Sequence, residues 1–317
     1  MTLPVAGAER SAGMRVGFIG LGRMGAPMAR NVLGAGYPVA VHDVRREAAA
    51  ELEAAGAIWA ETAAALAAGV DVLVTMLPGP PQVEAVMLGD GGAFAALPRG
   101  STWVDMSTST PAAGRRAASL GAGRGVAVVD APVSGMVKGA VSGRLQIFVG
   151  GDAADVVRVR PVLEAMGDPE RIFHVGGRGT GYAVKLCINL LWFVHVAAAA
   201  EVLQLGVRAG VDLGMLQASL AASPASSLVI ERDILPVWEG DYDESFTLDL
   251  VTKDLGLAID LGRETGTPME VSALVEQLHR RARALYGDKG GELSAVRLYE
   301  DATGTLLRPA VAPASAD

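Results

Sequence analysis

Apolar positions in the first half of the chain cluster into short runs that read as strands, at 15–19, 39–42, 72–76, 103–106, 126–130 and 146–149. Alanine-rich windows at 27–33, 46–55, 82–87 and 112–120 separate several of them and read as helices. Strands alternating with helices predict crossover connections, hence a doubly wound, mostly parallel sheet covered on both faces. After Gly176-Gly177-Arg178-Gly179 the strand pattern stops, and the chain to about Leu306 reads as helix. The first of these helices, about 182–209, would be roughly 40 Å long at 1.5 Å per residue. Gly210 stands where a C-terminal cap belongs, with Val211-Asp212 opening the next helix. A helix so long and apolar needs cover on several sides, which predicts a second copy of the chain packed against it. The expected organisation is a tail at 1–13, an α/β domain at 14–176, an all-helical C-terminal domain at 177–304 and a tail at 305–317.

Composition narrows the function classes. Half of the 317 residues are apolar (50%) and 20% are charged, the mix of a folded globular enzyme. A net charge of −8 argues against nucleic acid or an anionic membrane surface as partner. Cys187 is the single cysteine, so no intramolecular disulfide can form, which fits a reducing cytoplasm. The first residues lack the basic and apolar regions of a signal peptide. The most apolar stretch, 190–200, contains His195 and is too short and interrupted to span a bilayer, so a soluble protein is expected.

Gly20-Leu21-Gly22-Arg23-Met24-Gly25 follows the first strand and opens a helical window. Gly20 suits a tight turn, Gly22 lets the backbone approach a pyrophosphate, and Gly25 lets the helix lie close to the strand. The helix N-terminus then offers unpaired N–H groups to the anion. Spacing alone is a weak signal in a chain with 40 glycines; its place between strand and helix makes it a dinucleotide loop. Asp43 ends the second strand, where a carboxylate accepts both ribose hydroxyls and repels a 2′-phosphate. Arg45 and Arg46 beside it are suited to a 2′-phosphate, so NAD is favoured and NADP stays open.

Gly181, Lys185 and Asn189 share one stripe of the long helix. A lysine on an apolar stripe is costly to bury unless it is paired or gives up its proton. Beside a nicotinamide it would serve as general acid/base; otherwise it snorkels to solvent or pairs with a glutamate. Asn189 either hydrogen-bonds a substrate or satisfies a neighbouring backbone group. His42, His174, His195 and His279 are scattered without ligand spacing, so no metal site is expected. No Gly-x-Ser-x-Gly elbow occurs.

Taken in order, 17–25, Met76-Leu77-Pro78, Asp105-Met106-Ser107-Thr108, Asp130-Ala131-Pro132-Val133-Ser134-Gly135, the Gly181/Lys185/Asn189 helix and Lys253-Asp254-Leu255-Gly256-Leu257-Ala258 resemble the β-hydroxyacid dehydrogenases. That group includes 3-hydroxyisobutyrate dehydrogenase and tartronate semialdehyde reductase. The resemblance covers Met14 to about His279. It implies a Rossmann-type domain, a helical C-terminal domain, a homodimer or homotetramer, and reversible, metal-free oxidation of a small 3-hydroxyacid. By position, Leu77, Pro78 and Gln82 would line the cofactor, and Thr108 would lie near the nicotinamide ribose. Lys185 would be the acid/base group, its amine made a better base by desolvation, and Asn189 would fix the substrate. Ser134 and Gly135 would cradle the substrate carboxylate, and Lys253 would serve both substrate and cofactor. Met136 stands where the family pattern has a second glycine, which leaves the substrate open. Lys138 reads as a surface charge or a second anion contact, and Trp238, Tyr242 and Phe246 as core or as an apolar wall over the substrate. Two other readings remain on the same scaffold: an imine reductase-like enzyme, and a non-catalytic cofactor-binding module. The carboxylate cradle and the lysine weigh against each in turn.

Overall fold

The computed structural model describes residues 13–309, which form two compact units dividing at Lys185/Leu186. The first unit is built on nine strands: β1 (Val16–Ile19), β2 (Val39–His42), β3 (Ile58–Trp59), β4 (Val72–Thr75), β5 (Thr102–Asp105), β6 (Ala127–Asp130), β7 (Val133–Ser134), β8 (Leu145–Gly150) and β9 (Gly167–Gly176). They lie in the order β3-β2-β1-β4-β5-β6-β8-β7, with β9 pairing β8. From β3 to β6 every pairing is parallel; β8 runs antiparallel to β6 and β7, and β9 parallel to β8. The chain reverses its direction of winding between β1 and β4, the switch point at which α/β sheets bind ligands.

Side chains alternate across this sheet, and both faces are apolar. Val72, Val74, Val104 and Val129 join a core with Phe18, Met28 and Val159 on one face. Leu73, Trp103 and Val128 join Leu66, Met87 and Phe94 on the other. This is why the parallel strands read as apolar runs in the sequence. Three strands lack that signature. β3 and β7 are two residues each, and β9 is a largely exposed strand carrying Asp168, Pro169, Glu170 and Arg171.

The second unit is helical: the remainder of Thr180–Arg208, then Leu213–Ala221, Leu248–Thr265, Glu270–Tyr286 and Ser294–Thr303. The series of helices expected to about Leu306 has one long gap, between 222 and 247, where only short turns at Val229–Asp233 and Leu235–Glu239 form. The Thr180–Arg208 helix is, by length and composition, long and apolar enough to cross a membrane, contrary to the expectation of a short interrupted stretch. Its apolarity has a core function. Phe193, Val196, Ala197, Ala200 and Leu203 are buried against Leu248, Leu255, Ile234 and Leu298. The opposite stripe keeps Leu191, Val202 and Leu205 exposed.

The compact units divide at Lys185/Leu186, inside the long helix and nine residues after the expected 176/177, because the first turn of that helix is tied to the sheet. The C-terminal tail does not start at 305: Leu307 is buried and its N–H donates to Glu300 Oε1, while Arg308 pairs with Glu300 at 2.9 Å. The rest of that tail, and 1–12 of the N-terminal one, lie outside the described residues.

His279 is enclosed in the second core, its ring 5.3 Å from that of Phe193 and its Nδ1 2.9 Å from the Val275 carbonyl oxygen. Burial lowers its pKa from 6.5 to about 4. The unfolded chain takes up this proton first, so the neutral ring's contribution is complete above about pH 6.5 and is lost as pH falls toward 4. The limit is on the order of 3 kcal/mol. We expect His279→Leu to gain stability relative to the parent by that order between pH 7 and pH 4, measured by urea unfolding; a difference independent of pH contradicts it.

Candidate active site

At the end of β1 the backbone turns through Gly20, whose φ of +97° is left-handed. A Cβ at Gly20 would lie 2.3 Å from the Met76 carbonyl oxygen, and one at Gly25 would lie 1.9 Å from that of Gly20. Both positions therefore require glycine for close packing. Gly22 differs: a Cβ there would meet nothing within 4 Å, so the loop faces open space at the point where an anion would approach. The Gly25–Gly34 helix starts without a side-chain cap, its Ala26 N–H bonded to the Gly22 carbonyl oxygen at 3.1 Å, and its N-terminal end is the electropositive one that suits an anion. Leu21 is buried, Met24 half-buried and Arg23 exposed. These features fit a dinucleotide pyrophosphate.

Asp43, one residue past β2, accepts the Leu21 N–H at 2.7 Å through Oδ2 and the Arg45 N–H at 2.8 Å through Oδ1. The carboxylate is thus fixed against the glycine loop. Arg45 stays near it, Nε 3.6 Å from Oδ1. Arg46 is turned elsewhere: both terminal nitrogens bond Glu53, at 2.5 and 2.9 Å, and the guanidinium stacks 4.5 Å from the centre of Trp59. Leu77, past the end of β4, donates its N–H to Ser107 Oγ at 2.9 Å past the end of β5. Pro78 and Gln82 are exposed nearby in sequence, and Thr108 is half-buried. The expected cofactor residues therefore gather at the carboxyl ends of β1, β2, β4 and β5, around the switch point.

Beside them, the carboxyl ends of β5 and β6 hold the start of the Thr180–Arg208 helix. Asp130 Oδ1 accepts the Gly179 N–H at 2.7 Å, and Oδ2 accepts that of Tyr182 at 3.3 Å. Burial pushes the Asp130 carboxyl up to about 6, against the pull of these backbone donors. The Tyr182 hydroxyl donates to Asp105 Oδ2 at 2.6 Å, and burial raises the phenol well above its ordinary value, with the Asp105 charge adding to it. Asp105 Oδ1 accepts from Thr75 Oγ1 at 2.8 Å, and Thr75 Oγ1 accepts from Trp103 Nε1 at 2.9 Å. Lys185, half-buried, follows Tyr182 by three residues on this anchored helix.

Ser134 ends β7 half-buried, paired in register with Gln146 of β8. Gly135 has φ of +126° and Met136 φ of +55°, so two successive residues have positive φ where the short Met136–Ser142 helix begins. Met136 is 45% exposed, and Lys138 is exposed. A side-chain-bearing residue at this left-handed position thus carries backbone strain of about 1 kcal/mol.

In the second unit, Asn189 Nδ2 donates to Asp254 Oδ2 at 2.7 Å, and Lys253 Nζ lies 3.0 Å from Asp254 Oδ1. Asp254 is buried, so Asn189 and Lys253 are held together through a carboxylate that sequence reasoning did not single out. Asp105, Asp130 and Tyr182 were likewise missed, although both aspartates stood in the recognised motifs. Trp238 and Tyr242 pack on one core of the second unit, and Phe246 packs on another, its ring 6.5 Å from that of Phe193; the core reading of all three is the observed one. Among the described residues, no group of three or more His, Cys, Asp or Glu is placed to hold a metal ion.

Two family models cover nearly all of the described chain. One, the NAD binding domain of 6-phosphogluconate dehydrogenase, matches residues 15–177. The other, described as the NAD-binding domain of NADP-dependent 3-hydroxyisobutyrate dehydrogenase, matches 179–299. The chain is 37% identical to 2-(hydroxymethyl)glutarate dehydrogenase of Eubacterium barkeri, over 93% of its own length and 97% of the relative's. It is also 37% identical to 3-hydroxyisobutyrate dehydrogenase of Pseudomonas aeruginosa, over 90% and 98% respectively. Among solved structures, Mycobacterium tuberculosis 3-hydroxyisobutyrate dehydrogenase with L-serine superposes with a TM-score of 0.83 at 30% identity, covering 90% of this chain and 99% of that one.

Replacing Met136 with glycine removes the left-handed strain but frees the unfolded chain. We expect Met136→Gly to raise stability by up to about 1 kcal/mol and Met136→Ala to give no gain, both by urea unfolding. A destabilised glycine variant would show that the thioether packs favourably enough to outweigh the strain.

Proposed function

The chain belongs to the β-hydroxyacid dehydrogenase family, and from that premise we propose that it catalyses reversible oxidation of a small 3-hydroxyacid to its semialdehyde, with Lys185 as general acid/base. A bound nicotinamide dinucleotide supplies the hydride acceptor in one direction and the donor in the other. In oxidation, the Lys185 amine takes the hydroxyl proton as the carbon–hydrogen bond gives up hydride; in reduction, the ammonium returns a proton to the carbonyl oxygen. Ser134 and the backbone of Gly135 and Met136 hold the substrate carboxylate. Asn189, one helical turn past Lys185, orients the substrate through its amide, one N–H of which is given to Asp254. In this reading Lys253, held by the same carboxylate, serves both substrate and cofactor.

The observation that carries this reading is the fixed start of the lysine-bearing helix at the carboxyl ends of β5 and β6, in the sheet whose adjoining strand ends carry the glycine loop. The family relatives act on hydroxyacids by name, which supports the substrate class and leaves open the particular acid. The seated carboxylate of Asp43 supports NAD over NADP, and the engagement of Arg46 with Glu53 and Trp59 adds to it. The exposed stripe of Leu191, Val202 and Leu205 supports a homodimer or homotetramer through the helical unit. A lone exposed cysteine, Cys187, is compatible with a cytoplasmic enzyme.

Lys185→Ala is expected to lower kcat by about 10²- to 10⁴-fold while cofactor affinity, read by NADH fluorescence, stays near the parent's. Near-parental kcat would end the assignment. In the parent, kcat/KM with NADH should exceed that with NADPH in semialdehyde reduction; the reverse order would overturn the role given to Asp43.

A further inference from the structure

The carboxylate of Asp130 is more deeply set than capping a helix requires. It is 2% exposed and lies in a slot kept open by two glycines. A Cβ at Gly150, its partner in the β6–β8 pairing, would stand 2.4 Å from Asp130 Oδ2. A Cβ at Gly181 would stand 2.8 Å from the same oxygen and 2.3 Å from the Phe148 carbonyl oxygen. Both oxygens are used, Oδ1 by the Gly179 N–H and Oδ2 by the Tyr182 N–H, and the Gly181 N–H also bears on the group. An exposed serine or threonine at the helix start would satisfy one donor at little desolvation cost. A buried, two-pronged acceptor does something further: it fixes both the axial position and the rotation of the first turn against β6.

We propose that Asp130 is a positioning residue for Lys185, setting the place of the amine by clamping the turn that precedes it. The proposal rests on the reading of Lys185 as the acid/base group. Lys185 follows Gly181 by one helical turn, so a slip or rotation of the first turn is carried to the amine almost undiminished. Asp105 fixes the same turn from β5 through the Tyr182 hydroxyl, so two neighbouring strands hold one turn of helix. A displacement of about 1 Å at a reacting group is enough to cost on the order of 10²-fold in rate.

Asp130→Asn keeps the shape and one acceptor but turns an amide N–H₂ toward one of the backbone donors. In the full-length protein we expect kcat to fall about 10- to 100-fold, with KM and NADH affinity within about threefold of the parent. Gly181→Ala keeps the charge and forces the carboxylate and the helix apart, and it should give the same split between kcat and KM. The double variant separates positioning from a general loss of structure. In the Lys185→Ala background, Asp130→Asn should lower the residual turnover by less than about twofold, because nothing is left to position. A folded Asp130→Asn or Gly181→Ala enzyme with near-parental kcat, or an equal loss in both backgrounds, overturns the proposal. Failure of the Lys185 reading itself would appear separately, as retained turnover in Lys185→Ala alone.

Discussion

Two aspartates at adjacent strand ends hold the first turn of a 29-residue helix, and the placement of the lysine depends on that contact. Carboxylates are expensive to bury, and a helix start is among the few environments in which backbone N–H groups and the helix dipole together make burial tolerable. The same device recurs along the edge of the sheet. Asp43 accepts the Leu21 N–H past β2, Asp105 accepts the Ser107 N–H at the end of β5, and Asp130 accepts the Gly179 N–H at the end of β6. Each carboxylate fixes the backbone segment that carries the next candidate residue: the glycine loop, the Ser107-Thr108 turn and the lysine helix. The edge is organised by anions receiving N–H donors more than by packing.

That organisation also explains which features could be read in advance. The parallel strands were visible because both their faces are buried, which leaves uninterrupted apolar runs such as Val72-Leu73-Val74. β9 is hidden because Asp168, Pro169, Glu170 and Arg171 break its first half, leaving only the short apolar stretch around the buried Ile172 to mark it. The two-residue strands β3 and β7 are too short for any periodicity. Helical spacing places Lys185 and Asn189 on one stripe, and the family resemblance alone singles them out as site residues. Asp130, Asp105 and Asp254 were not, since a strand-end or helix-borne aspartate looks the same in sequence whether it caps a helix start, bonds a tyrosine or joins an asparagine to a lysine. The left-handed backbone at Met136 was equally hidden, because methionine gives no local signal of it.

Asp254 carries the principle into the second unit, where it links the Asn189 amide and the Lys253 ammonium. Both polar side chains are therefore held in place by one buried carboxylate, with part of their side-chain entropy already lost. Met136, left-handed and exposed, stands on the loop proposed to hold the substrate carboxylate.

The account turns on a single amine exchanging a proton with the substrate oxygen at a fixed place. Chemical rescue asks this most directly: turnover of the lysine-to-alanine protein is measured with added small primary amines of graded basicity. Turnover that climbs with amine concentration, and in the oxidative direction with amine basicity, is the predicted result. Indifference to every amine small enough to enter, in an enzyme that still binds cofactor, would contradict it.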